Sequence, residues 1–251
     1  MSVSILAKAD KGMIKKKPFP HLVIKDAIDE ALYDQLASEF PSNAEIFSKD
    51  VQPDKSLRNN ARYQTSAATA LESPLWNDFV KYHVSHEFYK EVTNLFGSYI
   101  GDIHNIQQRF NKDVEELDVC MRENAGMFVA AQSGSADVAL DCQVGINSPV
   151  TQVSTVRGMH TDAPNKLFVG LFYMRTKDDD STGGDLNLYR YKDRHPRNMN
   201  PENLEIFDTV KYDKNTLVFF VNSPYSVHGV TNRSITPHCR RLINFVGEIY
   251  K

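Results

Sequence analysis

The stretch Arg157–Tyr173, with the sequence RGMHTDAPNKLFVGLFY, joins two candidate metal-binding side chains to a run of apolar residues. His160 and Asp162 lie two positions apart, and the apolar run that begins at Leu167 predicts a buried β-strand just after them. In an extended segment, side chains two apart point to the same face. This imidazole and this carboxylate can therefore bind one metal ion together.

A third ligand is available in the later sequence SPYSVHGV, which contains His228. Two histidines and one carboxylate on one side of an ion leave the opposite positions open, as in the facial sites of non-haem Fe(II) oxygenases. Without His228, the earlier pair would be interpreted as a turn, with Asp162 ahead of Pro164 and His160 bonded to the backbone. We therefore take His160, Asp162 and His228 as candidate metal ligands and candidate catalytic residues.

Short β-prone segments, separated by Gly, Ser, Asn and Pro, follow one another from about residue 116 onward. They are 117–121, 127–131, 138–146, 152–156, 167–174, 186–191, 204–212, 217–221, 226–230 and 242–249, with a hairpin-like turn at 178–184. Eight to ten strands without intervening helices predict an antiparallel sandwich or barrel.

Helical patterns dominate the chain before that point. A strand at 18–24 is followed by a helix that Asp26 caps and Pro41 ends, and 74–110 predicts two more helices. Helices that precede the strands are expected to brace one outer face of a sheet. We predict one domain, residues 1–251, with helical support in 18–115 and a β core in 116–251.

Composition narrows the functional classes. The chain has 251 residues, of which 41% are hydrophobic and 24% charged, and a formal charge of −3 from 29 basic and 32 acidic residues. This balance gives no general attraction to nucleic acid or to an anionic membrane. The three scattered cysteines form neither a disulfide framework nor a CxxC zinc site. With no signal-like leader and no apolar stretch of about 20 residues, a cytoplasmic protein is expected, where Fe(II) persists.

Four features occur in a fixed order along the chain. His160-Thr-Asp162 precedes a strand, Gly183-Gly184-Asp-Leu opens another, His228 follows the run LVFFV, and Arg240-Arg241 opens the last strand. This order resembles the Fe(II)- and 2-oxoglutarate-dependent dioxygenase superfamily, specifically its prolyl-4-hydroxylase-like branch. The resemblance covers roughly residues 115–250, and the opening FPHLVIKDA is similar to the start of small bacterial and phage members.

The resemblance implies a fold and a chemistry. The fold is a double-stranded β-helix, a jelly-roll of cupin-like type with supporting N-terminal helices. His160, Asp162 and His228 would hold Fe(II), 2-oxoglutarate would chelate it, O2 would be the oxidant, and ascorbate would keep the iron reduced. Halogenating relatives have Gly or Ala at the position of Asp162, so the carboxylate here favours hydroxylation, or another oxidation such as desaturation.

A guanidinium is expected to hold the distal carboxylate of 2-oxoglutarate. Arg240 and Arg241 point to opposite faces of their strand, so only one of them reaches inward. Asn244 lies on the same face as Arg240, and the resemblance places a polar residue four positions after the arginine. We predict Arg240, with Asn244, and keep Arg241 as the alternative. Tyr173 is a further candidate for a hydrogen bond to the co-substrate.

Other polar residues are weaker candidates. Arg122, Arg157 and Asn187 lie on strands or edges that can face a cavity or solvent, and Tyr189 resembles Tyr173 in this respect. A loop that contains Arg58, Arg62 and Tyr63 is a candidate lid over the substrate.

Two other functional classes stay open at this point. One is a cupin-like metal enzyme that does not use 2-oxoglutarate, in which both arginines are structural. The other is a non-catalytic jelly-roll that binds a glycan or peptide. If the chain is a 2-oxoglutarate-dependent dioxygenase, a small-molecule substrate such as a metabolite, amino acid or sugar is expected, without nucleic-acid or membrane partners.

Overall fold

The computed structural model describes residues 3–47, 57–122, 136–193 and 199–249. The predicted strand at 127–131 lies outside these residues. Within these residues, five α-helices precede most of the strands. They are α1 (Glu30–Ser38), α2 (Asn43–Phe47), α3 (Pro74–His83), α4 (His86–His104) and α5 (Ile106–Phe110).

Ten strands run through the described part of the chain. They are β1 (His21–Lys25), β2 (Arg62–Gln64), β3 (Val119–Met121), β4 (Val138–Asn147), β5 (Lys166–Tyr173), β6 (Leu186–Tyr191), β7 (Leu204–Val210), β8 (Thr216–Val221), β9 (His228–Val230) and β10 (Arg240–Ile249). Short 3-10 helices lie at Lys11–Met13, Val114–Glu116 and Pro201–Asn203.

The strands form a large and a small sheet. The order in the large sheet is β1-β8-β5-β10-β4-β2, with β3 also paired to β4, and the order in the small sheet is β7-β6-β9. All pairs are antiparallel except β3 with β4. The segment before β5 extends the small sheet, because His160 forms a bridge with His228 at the edge of β9.

The connections alternate between the two sheets in the jelly-roll manner. The chain runs from β4 in the large sheet to the 154–162 segment beside the small sheet, and then back to β5. It crosses to β6 and β7, returns to β8, and crosses again to β9 before it ends in β10. This path is the double-stranded β-helix, and it confirms the predicted fold class, mainly β with N-terminal helices.

Alternate residues of the large sheet face two separate cores. On β5, Phe168 and Phe172 pack in the core shared with the helices, whereas Val169 and Leu171 pack in the core between the sheets. β10 follows the same rule, since Phe245 faces the helices. The helices therefore brace the outer face of the large sheet, as predicted, and the inner face is left for the small sheet.

The first helix begins later than its sequence predicts. Its N-cap is Asp29, whose side chain accepts a hydrogen bond from the Ala31 amide at 3.0 Å, and the predicted cap, Asp26, is wrong. Asp26 lies in a left-handed turn with φ of 51°. The reason is tertiary, because Asn215 accepts hydrogen bonds from the amides of Ala27 and Ile28 and fixes this turn before the helix can begin.

Two predictions in the β region also need correction. The segment 152–156 is not a strand, and its contact is an isolated bridge between Ser154 and Arg233. The segment 178–184 is not a hairpin turn, because it joins β5 in the large sheet to β6 in the small sheet. Gly183 has a φ of +76°, and a Cβ there would lie 1.8 Å from the carbonyl oxygen of Asn232, so only glycine fits.

A buried ion pair holds this connection against the loop before β10. Arg233 and Asp179 are both almost fully buried, and Arg233 Nη2 donates to Asp179 Oδ2 at 2.8 Å. Arg233 also donates to the Ser181 hydroxyl and to the His238 carbonyl, while the other Asp179 oxygen accepts from Ser181. The Gly183-Gly184 turn is thereby fixed relative to the start of β10.

Replacement of Arg233 by glutamine tests this arrangement. The variant leaves the Asp179 carboxylate buried without its cation, and we expect the free energy of unfolding to fall by about 3–5 kcal/mol. Equilibrium denaturation in urea measures the change.

The matched control is Lys25→Gln, because Lys25 pairs with Asp213 at 3.5 Å on the exposed surface. We expect that control to lose less than about 1 kcal/mol. An equal, small loss in both variants would show that the buried pair does not stabilise the fold.

Candidate active site

A cavity of about 210 Å³ lies between the two sheets, with walls from β4, β5 and β10 on one side and from β6 and β9 on the other. All six site residues predicted from the sequence line it. They are His160, Asp162, Tyr173, His228, Arg240 and Asn244. The structure thus brings together residues as far apart in the chain as His160 and Asn244.

Reciprocal backbone hydrogen bonds place the two histidines side by side. The His160 amide donates to the His228 carbonyl at 2.8 Å, and the His228 amide donates to the His160 carbonyl at 2.9 Å. The centres of their rings are 4.3 Å apart. The backbones can approach this closely because residue 229 is glycine, where a Cβ would lie 2.9 Å from the backbone of Gly158.

The hydrogen bonds of each ring fix which nitrogen is free. His160 Nδ1 lies 2.7 Å from the Gly158 carbonyl, and His228 Nδ1 lies 2.9 Å from the Ser226 carbonyl. Since a carbonyl only accepts, each Nδ1 carries the proton and each Nε2 keeps a lone pair. Burial and the neighbouring His228 lower the pKa of His160 to about 4, and burial lowers the pKa of His228, so both rings are neutral at pH 7.

Asp162 supplies the negative charge of the cluster. Burial opposes its ionisation, but Lys166, His228 and Arg157 outweigh burial and lower its pKa to about 2. Lys166 and Arg157 both contact Oδ1, each at 3.3 Å. The second oxygen, Oδ2, faces His228 Nε2 at 3.7 Å and remains available as a ligand.

These three side chains fit one metal ion. Their ligand atoms all lie within 4.8 Å of one another, and in the part of the chain that the structure describes they form the one such group of His, Cys, Asp or Glu. Atoms bonded to a common ion at about 2.1 Å lie roughly 3 to 4 Å apart, so adjustments of about an ångström bring all three onto it. Two neutral imidazoles and one carboxylate, all on one side, suit Fe(II) with open positions.

Arg240 is held rigidly beside Tyr173 at one end of β5, whereas Asp162 of the metal cluster contacts Lys166 at the other end of that strand. Its Nε donates to the Gly184 carbonyl at 2.9 Å, and its Nη1 donates to Asn147 Oδ1 at 3.1 Å. Its guanidinium lies 4.7 Å from the ring centres of both Tyr173 and Tyr212. The Gly183-Gly184 turn therefore orients the arginine through a main-chain oxygen, which the motif alone did not indicate.

Three buried donors near Arg240 have no hydrogen-bond partner among the described residues. They are Arg240 Nη2, Asn147 Nδ2 and the Tyr173 hydroxyl, and each belongs to a residue that lines the cavity. Unpaired buried donors are costly, and clustered ones indicate a site for an acceptor-rich ligand. A carboxylate is such a ligand, because it accepts hydrogen bonds only.

The sequence did not predict Asn147 as a site residue, although it lies next to Arg240 in the structure. It ends β4 directly opposite Arg240 in the register of the sheet, and a pairing of that kind has no signal in a single sequence. Asn244 contributes differently from what we predicted. Its Nδ2 donates to Gln143 Oε1 at 2.7 Å, and the atom left unpaired is Oδ1, an acceptor that repels a carboxylate.

Arg62 lines the cavity as well, and it lies in the segment interpreted as a lid. It pairs with Asn147 across β2 and β4, so Arg62, Asn147 and Arg240 form one row across three strands. Surrounding protein lowers its pKa to about 10, while its side chain stays open to the cavity. Tyr63, the next residue, packs on the ring of Phe47, and Arg58 does not line the cavity.

The remaining candidates lie elsewhere. Arg241 points to the other face, where its guanidinium covers the ring of Phe40. Arg122 pairs with Asp141 and Glu248. Asn187 is hydrogen-bonded to Thr209 and Tyr189 and does not line the cavity. Arg157 does, at its rim, with half of its side chain exposed.

Solved structures of similar fold span most of the chain. A prolyl-4-hydroxylase from Pseudomonas putida is 11% identical, with a TM-score of 0.49 over 91% of this chain and 92% of that one. IDO from Bacillus thuringiensis is 11% identical, with a TM-score of 0.48 over 92% and 90%. A prolyl hydroxylase from Trichoplax adhaerens is 12% identical, with a TM-score of 0.46 over 91% and 83%.

Comparisons of the sequence itself give no match. No protein-family model and no curated protein matches the chain. At the TM-scores above, the residues of the site have to carry any functional conclusion. In the described residues, no helix is both long and apolar enough to cross a membrane.

The geometry predicts that His160→Ala, Asp162→Ala and His228→Ala each weaken the binding of a divalent metal. Loss of one of three ligands should reduce affinity for Mn(II) or Co(II) by at least about 100-fold, since even indirect supporting partners contribute 10–100-fold. Isothermal titration calorimetry of the purified protein measures this.

His86→Ala is the control, because His86 is an exposed residue of α4. It should bind metal like the unmodified chain. Unchanged affinity in all three ligand variants would exclude this cluster as a metal site.

Proposed function

We propose that the protein is a non-haem Fe(II)- and 2-oxoglutarate-dependent dioxygenase that hydroxylates an unactivated C–H bond of a small molecule. The observation that carries the proposal is the pairing of two features in one cavity. His160, Asp162 and His228 present three ligand atoms on one side, and Arg240 presents an unpaired guanidinium donor at the other end. Neither feature alone selects this class of enzyme.

The three ligands prepare the ion site before the ion arrives. The Gly158 and Ser226 carbonyls hold both imidazoles in the tautomer that binds a metal through Nε2, and burial keeps them neutral. Lys166 and Arg157 keep Asp162 ionised and turn its second oxygen to the histidines. When bound, Fe(II) and 2-oxoglutarate supply the oxidising chemistry, in which O2 oxidises the substrate C–H bond and the 2-oxo acid, with succinate and CO2 as products.

The polar end of the cavity suits the distal carboxylate of 2-oxoglutarate. Arg240 Nη2, Asn147 Nδ2 and the Tyr173 hydroxyl provide three donors for its two oxygens. The rings of Tyr173 and Tyr212 and the Gly184 carbonyl prevent the guanidinium from turning away. A planar cation fixed in this way binds a carboxylate with little loss of side-chain entropy.

Asp162 also bears on the type of reaction. Its carboxylate occupies the position at which a halide would need to enter beside the histidines, and its charge would repel an anion there. Hydroxylation, or a related oxidation without halide, is therefore favoured over halogenation.

A turnover assay tests the proposal. Purified protein with Fe(II), ascorbate, O2 and 2-oxoglutarate should release succinate, and His160→Ala should release none. Arg240→Gln should raise the KM for 2-oxoglutarate by about 10–150-fold, since a hydrogen bond between charged groups contributes about 1.5–3 kcal/mol. Its affinity for Mn(II) should stay unchanged.

Arg241→Gln serves as the matched control, because Arg241 contacts Phe40 and the Ala37 carbonyl outside the cavity. Its KM for 2-oxoglutarate should equal that of the unmodified chain. Metal binding without any succinate release would favour a cupin-like enzyme of another type.

A further inference from the structure

The cavity contains more positively charged side chains than the binding of Fe(II) and 2-oxoglutarate requires. Among the described residues, four cationic side chains line it, Arg62, Arg157, Lys166 and Arg240, against the single carboxylate of Asp162. The histidines add no charge at pH 7. Fe(II) and the 2-oxoglutarate dianion carry equal and opposite charges, so the excess of three positive charges persists after both have bound.

Three of the four cations already have a role. Arg240 faces the distal carboxylate of the co-substrate, and Lys166 and Arg157 share one oxygen of Asp162. The side chain of Arg62 has neither a hydrogen bond nor an ion pair within the described chain, although the negative charge of Asp162 acts on it through space. Its side chain is exposed where it opens into the cavity, and its guanidinium is charged at neutral pH, with a pKa that the surrounding protein lowers to about 10. A guanidinium that lines a cavity without a protein partner keeps its donors available to a ligand.

The register of the sheet places Arg62 on the far side of Asn147 from Arg240. Arg62 on β2 lies opposite Asn147 on β4, which lies opposite Arg240 on β10. Neighbouring strands are about 4.8 Å apart, so the backbones of the two arginines are separated by about 10 Å. Both side chains enter one cavity, since residues opposite each other across antiparallel strands share a face.

We propose that the substrate is a small molecule with a carboxylate or phosphate group, and that Arg62 binds this group. The guanidinium of Arg62 offers several unused donors in a plane that suits either anion. Arg157, at the rim of the same cavity, adds positive charge on the path of entry. This inference rests on the proposed function, because it assigns Arg240 to 2-oxoglutarate.

Anion binding to the loaded protein tests the assignment. The protein is saturated with Mn(II) and N-oxalylglycine, an unreactive analogue of 2-oxoglutarate, so that the co-substrate position is filled. It is then titrated by calorimetry with inorganic phosphate, with acetate, and with acetamide, which has the shape of acetate without its charge. We expect phosphate and acetate to bind at least about tenfold more tightly than acetamide.

Two variants locate this preference. Arg62→Gln should abolish it while the affinity for N-oxalylglycine changes less than about twofold, which also shows that the variant is folded. Arg58→Gln removes a charge four positions earlier, from an exposed side chain that does not line the cavity, and should retain the preference.

Each contrary result has a distinct meaning. Equal binding of acetate and acetamide, with Mn(II) and N-oxalylglycine bound, overturns the anionic substrate and leaves the proposed function intact. A loss of N-oxalylglycine affinity in Arg62→Gln, with the anion preference retained, assigns Arg62 to the co-substrate and also overturns it. If neither Mn(II) nor N-oxalylglycine binds, the proposed function itself fails and the substrate assignment fails with it.

Discussion

The two hydrogen bonds between the backbones of His160 and His228 are the constraint on which the site depends. They connect the segment before β5 to the edge of β9, and they set both imidazoles on one side of the same gap. Asp162 follows two residues later and completes the cluster. This pairing is possible only because the jelly-roll path returns to the small sheet twice, and because Gly229 lets the two backbones approach.

Much of the metal site could be predicted from the sequence alone, because it depends on local properties of the chain. Ligand identity, the His-x-Asp spacing and the alternation along β10 are local properties. They predicted the metal cluster and that only one of Arg240 and Arg241 faces inward, while the choice of Arg240 came from Asn244 and from the family resemblance. The sequence did not predict which residues enter the cavity because of strand register. Asn147 and Arg62 enter the cavity because β2, β4 and β10 pair in one particular way. Nothing near either residue in the chain signals that pairing.

The errors have a common origin as well. Asp26 is a residue type that often caps helices. Asn215, however, accepts hydrogen bonds from the two amides that follow Asp26, and the helix is capped by Asp29 instead. The segment 178–184 has the composition of a hairpin turn, yet the buried pair of Asp179 and Arg233 carries it from one sheet to the other. In both places a contact distant in sequence decides the outcome over a sound local preference.

The two faces of β10 have a consequence for how this protein can change over evolutionary time. Odd-numbered positions such as Ile243 and Phe245 belong to the helix-side core, and even-numbered positions such as Arg240 and Leu242 face the cavity. Substitutions can therefore drift on one face without disturbing the other. A single-residue deletion within the strand is different, because it exchanges the two faces and moves the guanidinium of Arg240 into the hydrophobic core shared with the helices. Selection should purge length changes in this strand far more strictly than changes of side chain.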